Sequence, residues 1–258
     1  MEQLAVNNLS LVLAFALVLV AVFVSSKEKL GLSKDILYGI VRAVIQLSII
    51  GYVLTYIFQL NNLVLTSAMS LFIVVNASWN AYKRNPSTQK NYWHSFSAIF
   101  ISTYITLGIL VLSGAIRFIP SQIVPISGMI ASNSMVAIGL CYRSLNKQFH
   151  DQRQQVLEKL ALGATIKLAS LPILRESIKT GMQPTIDSAK TVGLVSLPGM
   201  MSGLMFAGVD PLHAIKYQIM VTFMLLSTTS LGSIIAGYHA YKNYFNHDLQ
   251  LLDEEETE

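Results

Sequence analysis

Long apolar segments separated by short polar connections dominate this chain. A bilayer core about 30 Å thick is crossed by about 20 apolar helical residues. By this measure the pattern predicts seven membrane spans, at residues 9–24, 36–58, 63–82, 96–116, 126–142, 191–207 and 217–241. We therefore predict an all-α integral membrane protein in which residues 1–258 form a single transmembrane domain.

The distribution of basic residues predicts how these spans are oriented. Nearly all Lys and Arg residues lie in the first, third and fifth connections or after the last span. Cytoplasmic connections carry the excess of Lys and Arg in membrane proteins. We therefore expect a multi-pass protein of the inner or plasma membrane, with its N-terminus outside and its C-terminus in the cytoplasm.

Composition agrees with a membrane protein and narrows the choice of partners. Hydrophobic residues make up 53% of the chain, charged residues 12%, and the mean hydropathy is +0.53. Soluble domains carry roughly 25% charged residues. The net charge of +4 arises beside the spans, which predicts contact with membrane lipid and not with nucleic acid. The single cysteine, Cys141, is interpreted as a small buried hydrophobe.

The longest connection, residues 143–190, is predicted to form a cytoplasmic coupling region. Its first part, from Val156 to Leu168, has the apolar periodicity of an amphipathic helix, and lying on the membrane surface is an alternative for it. A second short helix is predicted over residues 172–180, with Gly181 ending it. Pro184 would then start the sixth span, with Asp187 near that helix's N-terminus. The tail at residues 247–258 is acidic and predicted to be disordered.

The sixth predicted span is rich in glycine and contains Pro198 as a candidate kink. Gly199 and Gly203 lie one turn apart, a spacing that lets another helix approach closely. We therefore expect Gly203→Leu to overpack a helix contact. Met200 and Met201 belong to the same span, and packing is favoured over soft-metal ligation for the methionines.

Three polar residues inside spans are candidates for a translocation path or for helix contacts. Arg42 lies four residues before Gln46, so both project from one helix face. Arg42 either faces a cavity, as intramembrane charges usually do, or extends to the cytoplasmic interface. Asn133 either lines a polar path or hydrogen-bonds a neighbouring helix.

Common catalytic and cofactor motifs are absent from the sequence. It has no G-x-x-x-x-G-K-[ST] phosphate loop, no H-E-x-x-H, no G-x-S-x-G and no C-x-x-C. We therefore predict no enzyme activity, no metal site and no cofactor in this chain.

Several segments resemble the FetB-type permeases, a family that includes plant aluminium-tolerance permeases. The resemblance extends from about residue 42 to 245. The segment that carries it most specifically reads GLVSLPGMM at residues 193–201. Further matching segments are ISGM at 126–129, LALGA at 160–164, PTID at 184–187 and DPL at 210–212.

The resemblance implies the membrane subunit of an ABC transporter, which forms a homodimer and exports iron or a related metal. ATP and Mg²⁺ would bind a separate ATPase subunit. The segment 158–163 looks like a variant of the ABC coupling motif, which assigns ATPase contact to Glu158, Leu160, Ala161 and Gly163. It departs from the usual pattern, since the double alanine is absent and Leu171-Pro172 follows early. Alternatives are an ABC permease for a nucleotide sugar and a stand-alone, ion-coupled secondary transporter.

The first prediction concerns Arg42. If its guanidinium faces a cavity, Arg42→Ala should lower transport while membrane insertion stays normal, and Arg42→Lys should restore little because lysine lacks the planar fork. Transport assays in proteoliposomes test this. Normal transport by both variants would show that Arg42 extends to the interface.

Overall fold

The computed structural model describes residues 7–60, 62–87, 89–246 and 248–252. Helices account for most of these residues, as expected for an all-α protein. The chain divides into two compact units, Met1–Asn61 and Asn62–Glu258. The described part of the first unit contains α1 (Asn8–Ala14), α2 (Ala16–Lys27) and α3 (Ser33–Leu60). A turn at Gly31, with φ +74°, connects α2 to α3.

The second unit is a bundle of helices with conventional ends. It contains α4 (Leu63–Lys83), α5 (Tyr92–Leu112), α6 (Pro120–Asp151), α7 (Arg153–Ala161), α8 (Ile166–Thr191), α9 (Gly199–Phe206) and α10 (Pro211–Ala240), which ends in a 3₁₀ turn (Tyr241–Tyr244). The side chains of Asn62, Asn91 and Asp210 accept hydrogen bonds from backbone N–H groups at the starts of α4, α5 and α10. These caps satisfy donors that have no partner inside the helix.

Six helical segments in the described residues are long and apolar enough to cross a membrane. They are Leu9–Lys27, Ser33–Phe58, Leu63–Lys83, Tyr92–Leu112, Pro120–Asp151 and Pro211–Tyr244. Six of the seven predicted spans therefore match a helix of sufficient length. These segments indicate a multi-pass membrane protein, because the backbone N–H and C=O groups of a long helix pair with each other and need no water inside the bilayer.

The predicted sixth span, residues 191–207, is wrong as a continuous helix. The chain is helical up to Thr191, leaves the helix over residues 192–198, where Gly193 has φ +87°, and resumes only for the eight residues of α9. Pro198 adopts an extended conformation before α9 and is not a kink within a helix. A proline has no N–H to donate, so it is well placed directly before a first helical turn.

The predicted helix at residues 172–180 is also wrong, because α8 continues through both Pro172 and Pro184. Gly181 does not end a helix, and Pro184 does not begin one. Each interior proline removes one hydrogen bond of the helix. Burial of one α8 face, including Ile173, Leu174 and Gly181, stabilises the helix enough to offset this loss.

The core of the second unit is built around α6, which packs against α4, α8 and α10. Glycines on α8 and α10 allow the closest approaches. A Cβ atom at Gly181 would lie 2.7 Å from the Ala137 carbonyl oxygen, and one at Gly237 would lie 3.0 Å from Leu174 Cδ1. A Cβ atom at Gly232 would collide with Ser134 Oγ. The contact therefore requires glycine at position 181, where backbone blocks a side chain, whereas at positions 232 and 237 neighbouring side chains would have to shift.

The C-terminal segment folds back onto the bundle. Leu251 and Leu252 are buried, and the Leu252 N–H donates to the Tyr244 carbonyl at 3.0 Å. The Arg153 guanidinium donates to the Leu252 carbonyl. Disorder is thus wrong for residues 248–252, which buried leucines hold in place. Residues 247 and 253–258 of the predicted tail lie outside the described residues.

The close approach of α8 to α6 yields a stability prediction. Gly181→Ala should destabilise the protein by about 1–3 kcal/mol, because backbone at Ala137 blocks the added methyl group. The measurement is the thermal unfolding midpoint of the protein in detergent. Gly128→Ala on α6 is the matched control, since a Cβ atom there meets nothing within 4 Å. Equal midpoints for both variants would contradict the prediction.

Candidate translocation groove

A groove runs between α6, α8 and α10. It consists of two adjoining cavities of about 130 and 220 Å³, which share Thr185, Ser188 and Leu225. Beyond these three residues, the walls are formed by Met129, Asn133, Val136, Ala137, Leu140, Gly181, Pro184, Ala189, Val192, Pro198, Met200, Gln218, Val221 and Thr222. We refer to this feature as the central groove.

The α6 wall presents an amide and a thioether. The Asn133 amide donates from Nδ2 to the Met129 carbonyl at 2.8 Å. This bond holds the side chain against its own helix and leaves Asn133 on the groove wall. The interhelical hydrogen bond that was one alternative for Asn133 is not present among the described residues.

The α10 wall contributes a buried amide with an unused acceptor. Gln218 is 8% exposed, and its Oε1 atom has no hydrogen-bond partner among the described residues. The neighbouring Thr222 hydroxyl donates to the Gln218 backbone carbonyl at 3.0 Å. A buried acceptor without a partner costs roughly 1–3 kcal/mol. Gln218 lines the larger cavity, while its Oε1 atom is itself covered by the protein.

The α8 wall presents hydroxyl groups to the groove and charges beside it. Thr185 and Ser188 line both cavities. The Gln183 amide donates to the two Asp187 carboxylate oxygens at 2.9 and 3.0 Å. The Lys190 ammonium lies 3.3 Å from Asp187 Oδ1. Together the walls supply neutral oxygen and thioether groups, with one charge pair close by in sequence.

Comparison with known proteins shows where this arrangement belongs. The profile of the uncharacterised protein family UPF0014 matches residues 8–245. The chain belongs to the UPF0014 family. A family match over nearly the whole chain, together with the apolar helices, makes it a multi-pass membrane protein of that family.

Relatives of this UPF0014 chain come from bacteria and plants. The chain is 58% identical over 247 residues to a protein of Escherichia coli named "Probable iron export permease protein FetB", covering 96% of this chain and 95% of the relative. It is 37% identical to the Bacillus subtilis membrane protein YjkA, covering 96% and 100%. It is 34% identical to "Protein ALUMINUM SENSITIVE 3" of Arabidopsis thaliana, covering 92% and 87%. No solved structure matches the chain significantly.

Three residues predicted for a translocation path or helix contact lie on the central groove of this UPF0014 protein. They are Asn133, Pro198 and Met200. Met201 is half-buried on α9 and does not line the groove. The structure therefore brings together residues from two distant parts of the sequence.

No described residue of this chain packs against Gly199 or Gly203, so the predicted helix contact there stays a prediction. A Cβ atom at either position meets nothing within 4 Å. The overpacking expected for Gly203→Leu stays a prediction as well. Both glycines are exposed on α9, which is only eight residues long.

Arg42 and Gln46 both lie on α3 in the first unit, and both side chains are exposed. Their four-residue spacing places them on one face of the helix, as predicted. The cavity and interface alternatives for Arg42 stay predictions.

The predicted coupling residues lie on α7 and in the turn after it. The helix ends at Ala161, and Gly163 follows with φ +86°, a conformation that favours glycine. Glu158 and Ala161 are exposed, while Leu160 is half-buried against the core. The expected amphipathic helix is thus shorter than predicted, because Leu168 belongs to α8.

Four polar groove residues were not predicted as site residues from the sequence: Thr185, Ser188, Gln218 and Thr222. A signal existed for Gln218, since a glutamine within an apolar span is costly unless it is used.

Asp187 was predicted near a helix N-terminus. It lies near the C-terminal end of α8, where the helix dipole disfavours a carboxylate, and Gln183 and Lys190 pair with it instead.

Replacing Gln218, whose Oε1 atom has no partner among the described residues, should affect transport and stability differently. Gln218→Leu should leave the thermal midpoint unchanged or raise it, because the substitution removes a buried acceptor that lacks a partner. It should lower transport, because the wall of the larger cavity loses its unpaired amide. Midpoints in detergent and transport in proteoliposomes test both parts. A lower midpoint with normal transport would contradict the prediction.

Proposed function

We propose that this chain is the membrane-spanning permease subunit of an ABC transporter that exports iron or a related metal species. Its identity of 58% to the Escherichia coli protein named a probable iron export permease, over nearly the full length of both chains, carries the proposal. Relatives of this similarity share a fold and usually a class of substrate.

A separate ATPase subunit supplies the energy in this proposal, since the sequence contains no phosphate loop. The turn between α7 and α8, residues 162–165, offers this subunit a docking point. We refer to it as the α7 turn. Together with α7 it connects the core helices α6 and α8, so a displacement of the turn would move both helices. Leu162 at its tip is 88% exposed, which suits a side chain that inserts into a groove of a partner protein.

The permease acts as a homodimer in this proposal, with one ATPase on each copy. A two-fold assembly presents two identical α7 turns to two identical ATPase subunits. Each central groove then contributes to the passage through which the solute moves.

Reconstitution tests the whole proposal. The permease and the ABC ATPase encoded nearest to it are co-expressed, purified and placed in proteoliposomes with an iron-sensitive fluorophore inside. We expect iron to reach the lumen only with the ATPase, Mg²⁺ and hydrolysable ATP outside. Transport by the permease alone, driven by an ion gradient, would favour a secondary transporter. ATP-dependent transport of a nucleotide sugar without iron would keep the ABC mechanism and change the solute.

The docking point yields a separate prediction. Leu162→Ser should reduce the amount of ATPase that co-purifies by at least about tenfold, since burying a leucine contributes about 1.5–3 kcal/mol. Leu112→Ser is the matched control. Leu112 is equally exposed, at 89%, and lies at the far end of α5. Equal recovery of ATPase by the two variants would place the docking surface elsewhere.

A further inference from the structure

The depth of α8 follows from its packing against α6 and α10. Residues 118–142, which begin just before α6, and residues 217–241, which end just after α10, contain no Asp, Glu, Lys or Arg, and each run has 25 residues. At 1.5 Å per residue either run is about 37 Å long, enough to cross the bilayer core. The centres of the two runs lie near Ile130 and Thr229.

Contacts between the helices place α8 at the same level. The Ser144 hydroxyl lies 3.4 Å from the Thr180 hydroxyl, which puts Thr180 beside the inner end of the α6 run. A Cβ atom at Gly181 would lie 2.7 Å from the Ala137 carbonyl oxygen and 3.3 Å from Cys141 Cβ, so Gly181 lies beside both residues. Thr185 and Ser188 share cavities with Met129, Asn133 and Leu225. The last two turns of α8 are therefore close to the middle of the membrane.

At this depth α8 carries an exposed polar face. Asp187 and Lys190 form an ion pair at 3.3 Å, and their side chains are 55% and 65% exposed. Gln183, which donates to Asp187, is also exposed. Ionisable groups at membrane depth face the bundle interior or a water-filled cavity. Lipid contact along this face would leave both charges without hydration.

Because α8 ends near the middle of the membrane, residues 192–206 cover the distance from there to the outer surface. From the level of Met129 to the start of α6 at Pro120 is about 14 Å, and the eight residues of α9 cover about 12 Å. Between α8 and α9 the backbone is irregular but bonded internally, with Gly193 N–H donating to the Ser196 carbonyl at 2.9 Å. Irregular backbone occurs at membrane depth only where protein or a water-filled cavity surrounds it.

We propose that α8 and α9 together form one interrupted membrane crossing, and that the α8 face of Gln183, Asp187 and Lys190 is the wall of a water-filled passage for a hydrated solute. The neighbouring central groove offers that solute the Thr185 and Ser188 hydroxyls. Interrupted helices with exposed backbone groups are where transporters commonly bind their solutes. The proposal rests on helix packing and stands whichever solute is carried.

Cysteine accessibility tests the passage in the full permease, without measuring transport. Cys141 is the only native cysteine and is buried, so Cys141→Ala provides the background. Asp187→Cys, Lys190→Cys and Gln183→Cys report on the passage. Phe223→Cys is the matched control, since Phe223 is 67% exposed on α10, close in sequence to the groove residues Thr222 and Leu225. The probe is a membrane-impermeant, positively charged thiosulfonate, applied to the protein in proteoliposomes.

We expect the α8 cysteines to react at least tenfold faster than the cysteine at position 223. A fluorophore on that cysteine should be quenched most strongly by lipids with nitroxides deep in their acyl chains. Slow labelling at all three α8 positions, in variants with normal thermal midpoints, would overturn the passage. Fast labelling at 223, or quenching mainly by shallow nitroxides, would overturn the assigned depth. Neither result bears on whether iron is exported, so the proposed function fails or survives separately.

Discussion

The second unit depends on the contact of α6 with α8 and α10 through glycines. Gly181, Gly232 and Gly237 lie where a side chain would meet backbone or core atoms of a neighbouring helix. Helices in a bilayer associate mainly by close van der Waals packing, since lipid tails are as apolar as leucine. This contact holds a charged, proline-containing helix in the bundle, and without it α8 has no reason to be continuous.

The same packing connects the parts of the protein that a transporter has to couple. The α7 turn precedes α8 directly, and α8 carries the groove hydroxyls before the chain breaks at residues 192–198. In the proposed transporter, a displacement at the turn would reach the groove along one continuous helix. Helices that end at a defined hinge are typical of proteins in which a displacement at one site causes a rearrangement at another.

Polar groups in the central groove differ in their hydrogen bonding. The Thr222 hydroxyl donates to the Gln218 backbone carbonyl within its own helix. The Gln218 side chain instead keeps an acceptor unused in a buried position. Buried polar groups in proteins are nearly always paired, so an unpaired one at a cavity is a feature of function more than of stability. The groove is thus less stable than an apolar contact and better suited to a transient ligand.

The sequence by itself determined the all-α membrane class, six of the helices and the family. Uninterrupted apolar runs and a specific segment such as GLVSLPGMM are local properties, so no folding information is needed to read them. Tertiary structure decided the course of residues 166–206. Glycine and proline at positions 181 and 184 favoured a helix boundary by local propensity, yet packing against α6 and α10 kept α8 continuous. Hydropathy also missed α8, because one face packs on protein and the other is polar, a distinction that an average along the chain removes.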